Sequence, residues 1–206
     1  MATVQSVIDN AKYKLRSVNS TPYTDDELLS YLNNDGIFNL DLILAANKSD
    51  LSLTKDTSLT LSSGNSSVAL PSTFLDIESL WIDTTELDKK DLSYIYEELQ
   101  VSSTSNQPWA YALANANLMF NCSADQDYSL TLFYYTKHAD LALTDSMPYS
   151  DLFNNTLTQL IVLIAKTRNE INALPESAIY DSLRDAVMSN IISRRHIPRT
   201  TGRPYK

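Results

Sequence analysis

Between Pro148 and Pro175 lies the stretch PYSDLFNNTLTQLIVLIAKTRNEIN, residues 148–172, with no internal proline and no glycine. Phe153, Leu157, Leu160, Ile161, Ile164 and Ile171 recur at helical spacing, which predicts one buried helix face. Its middle, Leu160-Ile161-Val162-Leu163-Ile164-Ala165, is apolar on every side. Such a helix must be surrounded, either by its own domain or by neighbouring copies. The run falls far short of the roughly 20 residues that cross a bilayer. The stretch therefore reads as the central helix of a soluble structure. Leu160, Ile161, Leu163 and Ile164 are the candidate surface where copies meet.

The 206 residues make one domain or two small ones, with 43% hydrophobic content as in globular proteins. The N-terminus MATVQSVIDNAKYKLR lacks the charged-then-apolar order of a secretory signal, and no run is long enough to span a membrane. A single cysteine, Cys122, excludes an internal disulfide and a multi-cysteine zinc site. A reducing cytosol is then the natural place of assembly. Charge is unevenly placed. Of 16 basic and 25 acidic residues, five bases and no acid follow residue 193, leaving 11 bases against 25 acids before it. The body thus carries −14 and the tail +5, within a net −9. An acidic body repels nucleic acid, whereas the tail seeks an acidic surface. That contrast favours a groove on another protein over DNA as the tail's target.

In chain order, Val4, Val7, Ile8, Ala11, Leu15 and Val18 predict a first helix over 3–19. Thr24-Asp25-Asp26-Glu27 predicts a capping box opening a second helix, and Asn33-Asn34-Asp35-Gly36 its left-handed stop or bend. Residues 37–46 form a further short helix. From Asn47 to Ser146 the texture turns to Ser, Thr, Asn and Asp around short apolar runs. Strands are expected at 51–53, 58–61, 68–70 and 74–83, with a turn at Ser63-Gly64-Asn65-Ser66. Residues 89–99 read as a strand followed by helical turns. Residues 109–137 read as a meander of three antiparallel strands, and 139–146 as a linker. Ile179, Leu183, Ala186, Val187, Ile191 and Ile192 mark the buried face of a last helix. Pro198, Gly202 and Pro204 forbid its continuation, so the tail is extended until a partner binds it. The expected fold is α+β. Residues 1–46 and 147–193 form a helical domain, 47–146 an inserted antiparallel β-rich module, and 194–206 an extended basic C-terminal arm.

Residues with chemistry are few. His138 and His196 are the only histidines, and neither has a partner visible in the sequence. Cys122 reads as a buried small hydrophobe, since nothing nearby lowers its pKa. Asp125-x-Asp127 lacks the glycine and later glutamate of a calcium loop and reads as a solvated turn. With three glycines there is no phosphate-cradling loop. No catalytic residue, metal site or cofactor is assigned. Trp81, Trp109, Tyr111, Tyr128, Tyr134 and Tyr135 are candidates for a sugar-binding face, set against the plainer reading as core and interface.

The order of segments resembles the head–tail adaptor (connector) proteins of tailed phages, those of short-tailed phages above all. The resemblance is carried by the N-terminal helix with Thr24-Asp25-Asp26-Glu27-Leu28-Leu29-x-Tyr31-Leu32-Asn33. It continues through Leu70-Pro71-Ser72-Thr73-Phe74-Leu75, the strand 77–82, Pro108-Trp109-Ala110-Tyr111-Ala112-Leu113, and Leu132-Phe133-Tyr134-Tyr135. Pro148-Tyr149-Ser150-Asp151-Leu152-Phe153 leads into the long helix. Near residue 115, where such a chain would carry glycine, this one has Asn115-Ala116-Asn117. The resemblance implies a non-enzymatic virion protein at the head–tail junction, assembled in the host cytoplasm as a ring of twelve copies beneath the portal. It implies that Arg194, Arg195, His196, Arg199, Arg203, Tyr205 and Lys206 form a portal-docking arm. A downstream tail or nozzle protein would bind below, and genomic DNA would pass through the channel without specific binding. The alternative reading is a β-module carbohydrate- or host-binding virion protein.

Overall fold

The computed structural model describes residues 2–16, 23–101, 105–168 and 173–193. The chain begins with α1 (Val4–Arg16), α2 (Asp25–Tyr31), a π-helical turn (Leu32–Ile37) and α3 (Phe38–Ala46). Then come β1 (Leu53–Asp56), β2 (Thr60–Leu61), β3 (Ser67–Ala69), β4 (Phe74–Ile82), β5 (Thr85–Glu86) and β6 (Asp88–Lys89). After α4 (Leu92–Val101) follow β7 (Ala110–Ala114), β8 (Asn117–Phe120) and β9 (Tyr128–Thr136), and the chain closes with α5 (Asp151–Arg168) and α6 (Leu174–Ser193). The fold is α+β. Residues up to Ser52 and from Lys137 onward make a helical unit, and Leu53–Thr136 a β-rich one.

In the helical unit, Val4, Val7, Ile8, Ala11 and Leu15 of α1 share one core with Phe153, Leu157, Ile161, Val162 and Ala165 of α5. Leu28, Tyr31 and Leu32 close that core from the side. Burying large aliphatic side chains in this way stabilises by about 1.5–3 kcal/mol each before entropy is counted. The expected capping box is half formed. Thr24 Oγ1 accepts from the Glu27 amide at 3.2 Å. Glu27 does not reach back; its Oε1 accepts from the Tyr31 hydroxyl at 2.6 Å.

The expected stop at Gly36 is absent. The helix runs on through the π turn into α3, and Gly36 is not among the residues with positive φ. A Cβ there would lie 3.1 Å from Leu157 Cδ2, so glycine serves the close approach of α5. Asn33 likewise stops nothing. Its side-chain amide brackets Leu141, donating to the carbonyl at 3.0 Å and accepting from the amide at 3.0 Å. The segment 137–149 is pinned again at the start of α1, where the Val4 amide donates to Asp145 and the Met147 amide to Ala2, both at 2.9 Å.

The expected face of α6 is only partly buried. Val187 and Ile191 enter the core, but Ala186 is exposed and Ile179 is 50% exposed.

In the β-rich unit, β1, β9, β4 and β5 follow one another in one sheet, with β2 also on β9; β3, β8, β7 and β6 make the second. The expected three-strand meander is therefore broken. β7 and β8 form a hairpin, but β9 leaves for the other sheet. The reason is visible in β9: Tyr128, Leu130, Leu132 and Tyr134 alternate inward, and nine residues give it the length to pair along β4. Both sheets bury side chains in one core, Leu80, Ile82, Leu130 and Leu132 meeting Tyr111, Leu118 and Phe120. Among the described residues the strand pairings are antiparallel except that of β6 with β7. Ile95 of α4 covers Ala110 and Ala112 of β7. Asn115 opens the β7–β8 turn at φ 54°, a left-handed conformation that Asn tolerates better than most residues. It does the work expected of a glycine there.

Candidate functional site

The central helix α5 is surrounded mostly by its own unit. Ile161 is 0% exposed and belongs to the core, so it has no surface left to offer. Leu160, Leu163 and Ile164 are half-buried. Leu160 and Ile164 line a groove of about 300 Å³ bounded by α3, α5 and α6. Its walls are apolar: Leu40 and Ile43 from α3, Val187 and Met188 from α6. Tyr180, Arg184 and Asp35 stand among its lining residues. Thr156 also lines it, and its buried hydroxyl has no hydrogen-bond partner. The other threonines of α5 behave differently. Thr158 and Thr167 donate back to the carbonyls of Asn154 and Leu163 at 2.8 Å.

Below this groove α5 and α6 are joined by charge. Lys166, 5% exposed, donates to the Glu176 carboxylate, which holds that carboxyl below the usual range. At the end of α5, Arg168 stacks over the Tyr31 ring at 4.5 Å and stands 3.9 Å from Asp35.

A second cluster was not legible as one. Asp41 is the only charged residue in α3 and is fully buried. It accepts from the His138 amide at 2.8 Å, meets His138 Nδ1 at 2.9 Å, and accepts from the Tyr149 hydroxyl. Burial above all, and then the Asp41 carboxylate, push the Tyr149 hydroxyl far above the ordinary tyrosine range. His138 therefore has partners. A second cavity of about 410 Å³ opens beside it, lined by Asn33, Asn34, Ile37, Phe38 and Lys137–Asp140. The one clue in the sequence was a lone acid inside the otherwise apolar FNLDLILAA, which must find donors when buried.

The remaining candidates have structural places. Cys122 is buried, donates weakly to the Asn106 carbonyl at 3.4 Å, and has its thiol pKa raised by burial. Asp125 accepts from Tyr128 at 2.6 Å and Asp127 from the Ser63 amide at 2.7 Å, fastening a turn. Among the described residues no group of three or more His, Cys, Asp or Glu is placed to hold a metal ion. The six aromatics do not share a face. Tyr111, Tyr128, Tyr134 and Tyr135 are buried, Trp81 is half-buried, and Trp109 is 45% exposed. Trp109 meets Tyr94 edge-on at 6.2 Å, with the Lys90 ammonium 5.8 Å from its ring. Arg194, Arg195, His196, Arg199, Arg203, Tyr205 and Lys206 lie outside the described residues. No helix among the described residues is long and apolar enough to cross a membrane.

Neither the groove nor the buried Asp41 network brings together a nucleophile, a metal-ligand set or a phosphate cradle among the described residues. The chain matches the family model of the SU10 adaptor protein over residues 2–200 and belongs to that family. It is thus a head–tail adaptor of tailed phages, a structural component of the virion that works alongside other virion proteins. No curated protein matches it.

Proposed function

We propose that copies of this chain form a ring, twelve in number, docked beneath the portal of a short-tailed phage and forming part of the DNA channel. The observation that carries this reading is the family match, which spans both the acidic body and the first residues of the basic tail. Residues 194–206 act as the docking arm, with Arg194, Arg195, His196, Arg199, Arg203, Tyr205 and Lys206 meeting an acidic groove on the portal. Charge supports the division of labour: a body of 11 bases and 25 acids presents DNA with a repulsive wall, along which a genome slides without sticking. Among the described apolar side chains of α5, Leu160, Leu163 and Ile164 are the ones that keep surface for a neighbouring copy. A downstream tail or nozzle protein binds the opposite end, and assembly takes place in the host cytoplasm. The helical unit, up to Ser52 and from Lys137 onward, acts as the adaptor domain, and Leu53–Thr136 as the inserted module.

Deleting residues 194–206 tests the arm. The truncated chain is expected to keep its circular-dichroism spectrum and melting temperature and to lose binding to the purified portal ring. Undiminished binding would remove the arm from the account.

A further inference from the structure

The β-rich unit is the more acidic of the two and gathers its exposed apolar surface in one place. Residues 53–136 hold three bases and eleven acids, a net −8, against eight bases and fourteen acids in residues 1–52 with 137–193. From Asp91 to Thr136 there is no lysine, arginine or histidine. Among the described residues, the large apolar side chains that this unit leaves exposed are Tyr94, Tyr96, Val101 and Trp109. Three belong to α4, and the fourth stands directly before β7. Helix α4 turns Ile95 inward, and the Ile95 amide donates to the Asp91 carbonyl at 3.2 Å. Asp91, Tyr94, Glu98 and Val101 follow at spacings of three, four and three, which makes them one stripe along the helix. Trp109 widens the stripe beside Tyr94. The Lys90 ammonium over the Trp109 ring shows that this ring takes a cation, and Asp88 offsets its charge at 3.3 Å.

A surface with aromatic rings set among carboxylates suits a basic segment that carries apolar anchors between its charges. Arginine guanidinium groups stack on aromatic faces, and proline-containing segments settle on them. Residues 194–206 have that composition: five bases and no acid, with Ile197-Pro198 and Pro204-Tyr205 between them. Two copies at −9 each repel body to body. The arm of one against the acidic unit of another is the pairing of opposite sign that copies can offer each other. We infer that, before the portal is met, residues 194–206 of one copy dock on the Asp91–Val101 stripe and Trp109 of a second copy. The inference rests on the proposed reading of these residues as a docking arm and gives the arm its target in the absence of the portal. The portal's acidic groove then takes the arm by competition and uncovers α4.

The test uses the full-length chain, mixed one to one with nitrogen-15-labelled chain and treated with a carbodiimide that joins amines directly to carboxylates. Lys206 is the arm's one lysine, so its cross-linked peptides report where the arm lies. Mass spectrometry is expected to find Lys206 joined to Asp91, Glu97 or Glu98 in pairs of one labelled and one unlabelled peptide. Their yield should fall about fivefold when salt is raised to about 0.5 M, since exposed charge pairs are then screened. It should fall comparably in Tyr94→Ser with Val101→Ser, which removes exposed apolar anchors and leaves every carboxylate in place. If that variant's melting temperature drops, Glu97→Lys at an exposed position replaces it, read at Asp91 and Glu98. Added portal ring should lower the yield as well.

Cross-links spread over the acids of the whole body, with none favoured on α4, would overturn the inference. So would pairs found only within single copies, or a yield that the stripe variant leaves unchanged. The two readings fail separately. Absent α4 cross-links in a chain whose arm deletion still abolishes portal binding would remove the inference and leave the docking arm standing. Strong α4 cross-links that added portal leaves undiminished would support the contact between copies and remove the portal from the arm's targets.

Discussion

At the scale of single residues, the helical unit depends on Asp41. A fully buried carboxylate is tolerable only because His138 and Tyr149 supply its donors. Asp41→Ala strands both partners, and urea denaturation is expected to show a loss of about 3 kcal/mol in the helical unit. Tyr149→Phe removes one donor and keeps the ring packing against Phe153, so a loss of about 1.5 kcal/mol is expected. A loss in Asp41→Ala no larger than that of an average surface substitution would contradict the assignment. In the β-rich unit Asn115 offers a sharper contrast. Asn115→Gly keeps the left-handed turn and should change stability little, whereas Asn115→Val should cost about 1–2 kcal/mol by forcing a branched side chain to positive φ. The sequence shows Asn115 plainly as a turn residue. It hides the Asp41 network, because Asp41 and its partners are separated by about a hundred residues and only the fold brings them together.

At the scale of elements, α5 and α6 are tied by Lys166 and Glu176, and that tie has a pH signature. The folded-state pKa of Glu176 is lowered, first by the hydrogen bond from Lys166. A depressed carboxyl contributes stability that is present above its unfolded value and is lost as pH falls through the folded one. Acid titration of the melting temperature should therefore show a drop that Glu176→Gln largely lacks. An identical acid profile in the variant would sink this tie. At the other extreme, Tyr111 and Tyr149 both have raised pKa values, chiefly through burial. Their contribution is complete below the ordinary tyrosine value of about 10 and is lost as pH rises beyond it, since the unfolded chain ionises first. Alkaline unfolding should begin above that point and shift upward in Tyr149→Phe.

Element positions were readable where periodicity was strong: α1, α5, β4 and β9 each announce a buried face. Pairing was not readable. β8 and β9 are neighbours in sequence, yet β9 joins β4, because strand length and inward alternation decide partners across the whole unit. The turn at residues 33–36 misled for a related reason. Asn and Gly there have the local chemistry of a stop, but the demands of packing against Leu157 and bracketing Leu141 prevail over local preference.

At the scale of the whole molecule, two features bear on the proposed function. One is an acidic body followed by a basic tail, fully legible in the sequence as charge. The other is an apolar groove whose lining comes from residues 35–43, 153–164 and 180–188, and no single stretch reveals it. The central helix illustrates the limit. Its all-round apolarity is explained largely within one copy, since Ile161, Val162 and Ala165 are buried in the chain's own core. What remains for a neighbour is the half-exposed edge carrying Leu160, Leu163 and Ile164.

The most direct test of the account is electron microscopy of the purified protein mixed with the portal ring of the same genome. The account predicts a closed ring stacked on the portal, with a channel continuous through both. Monodisperse monomers that leave the portal bare would contradict it.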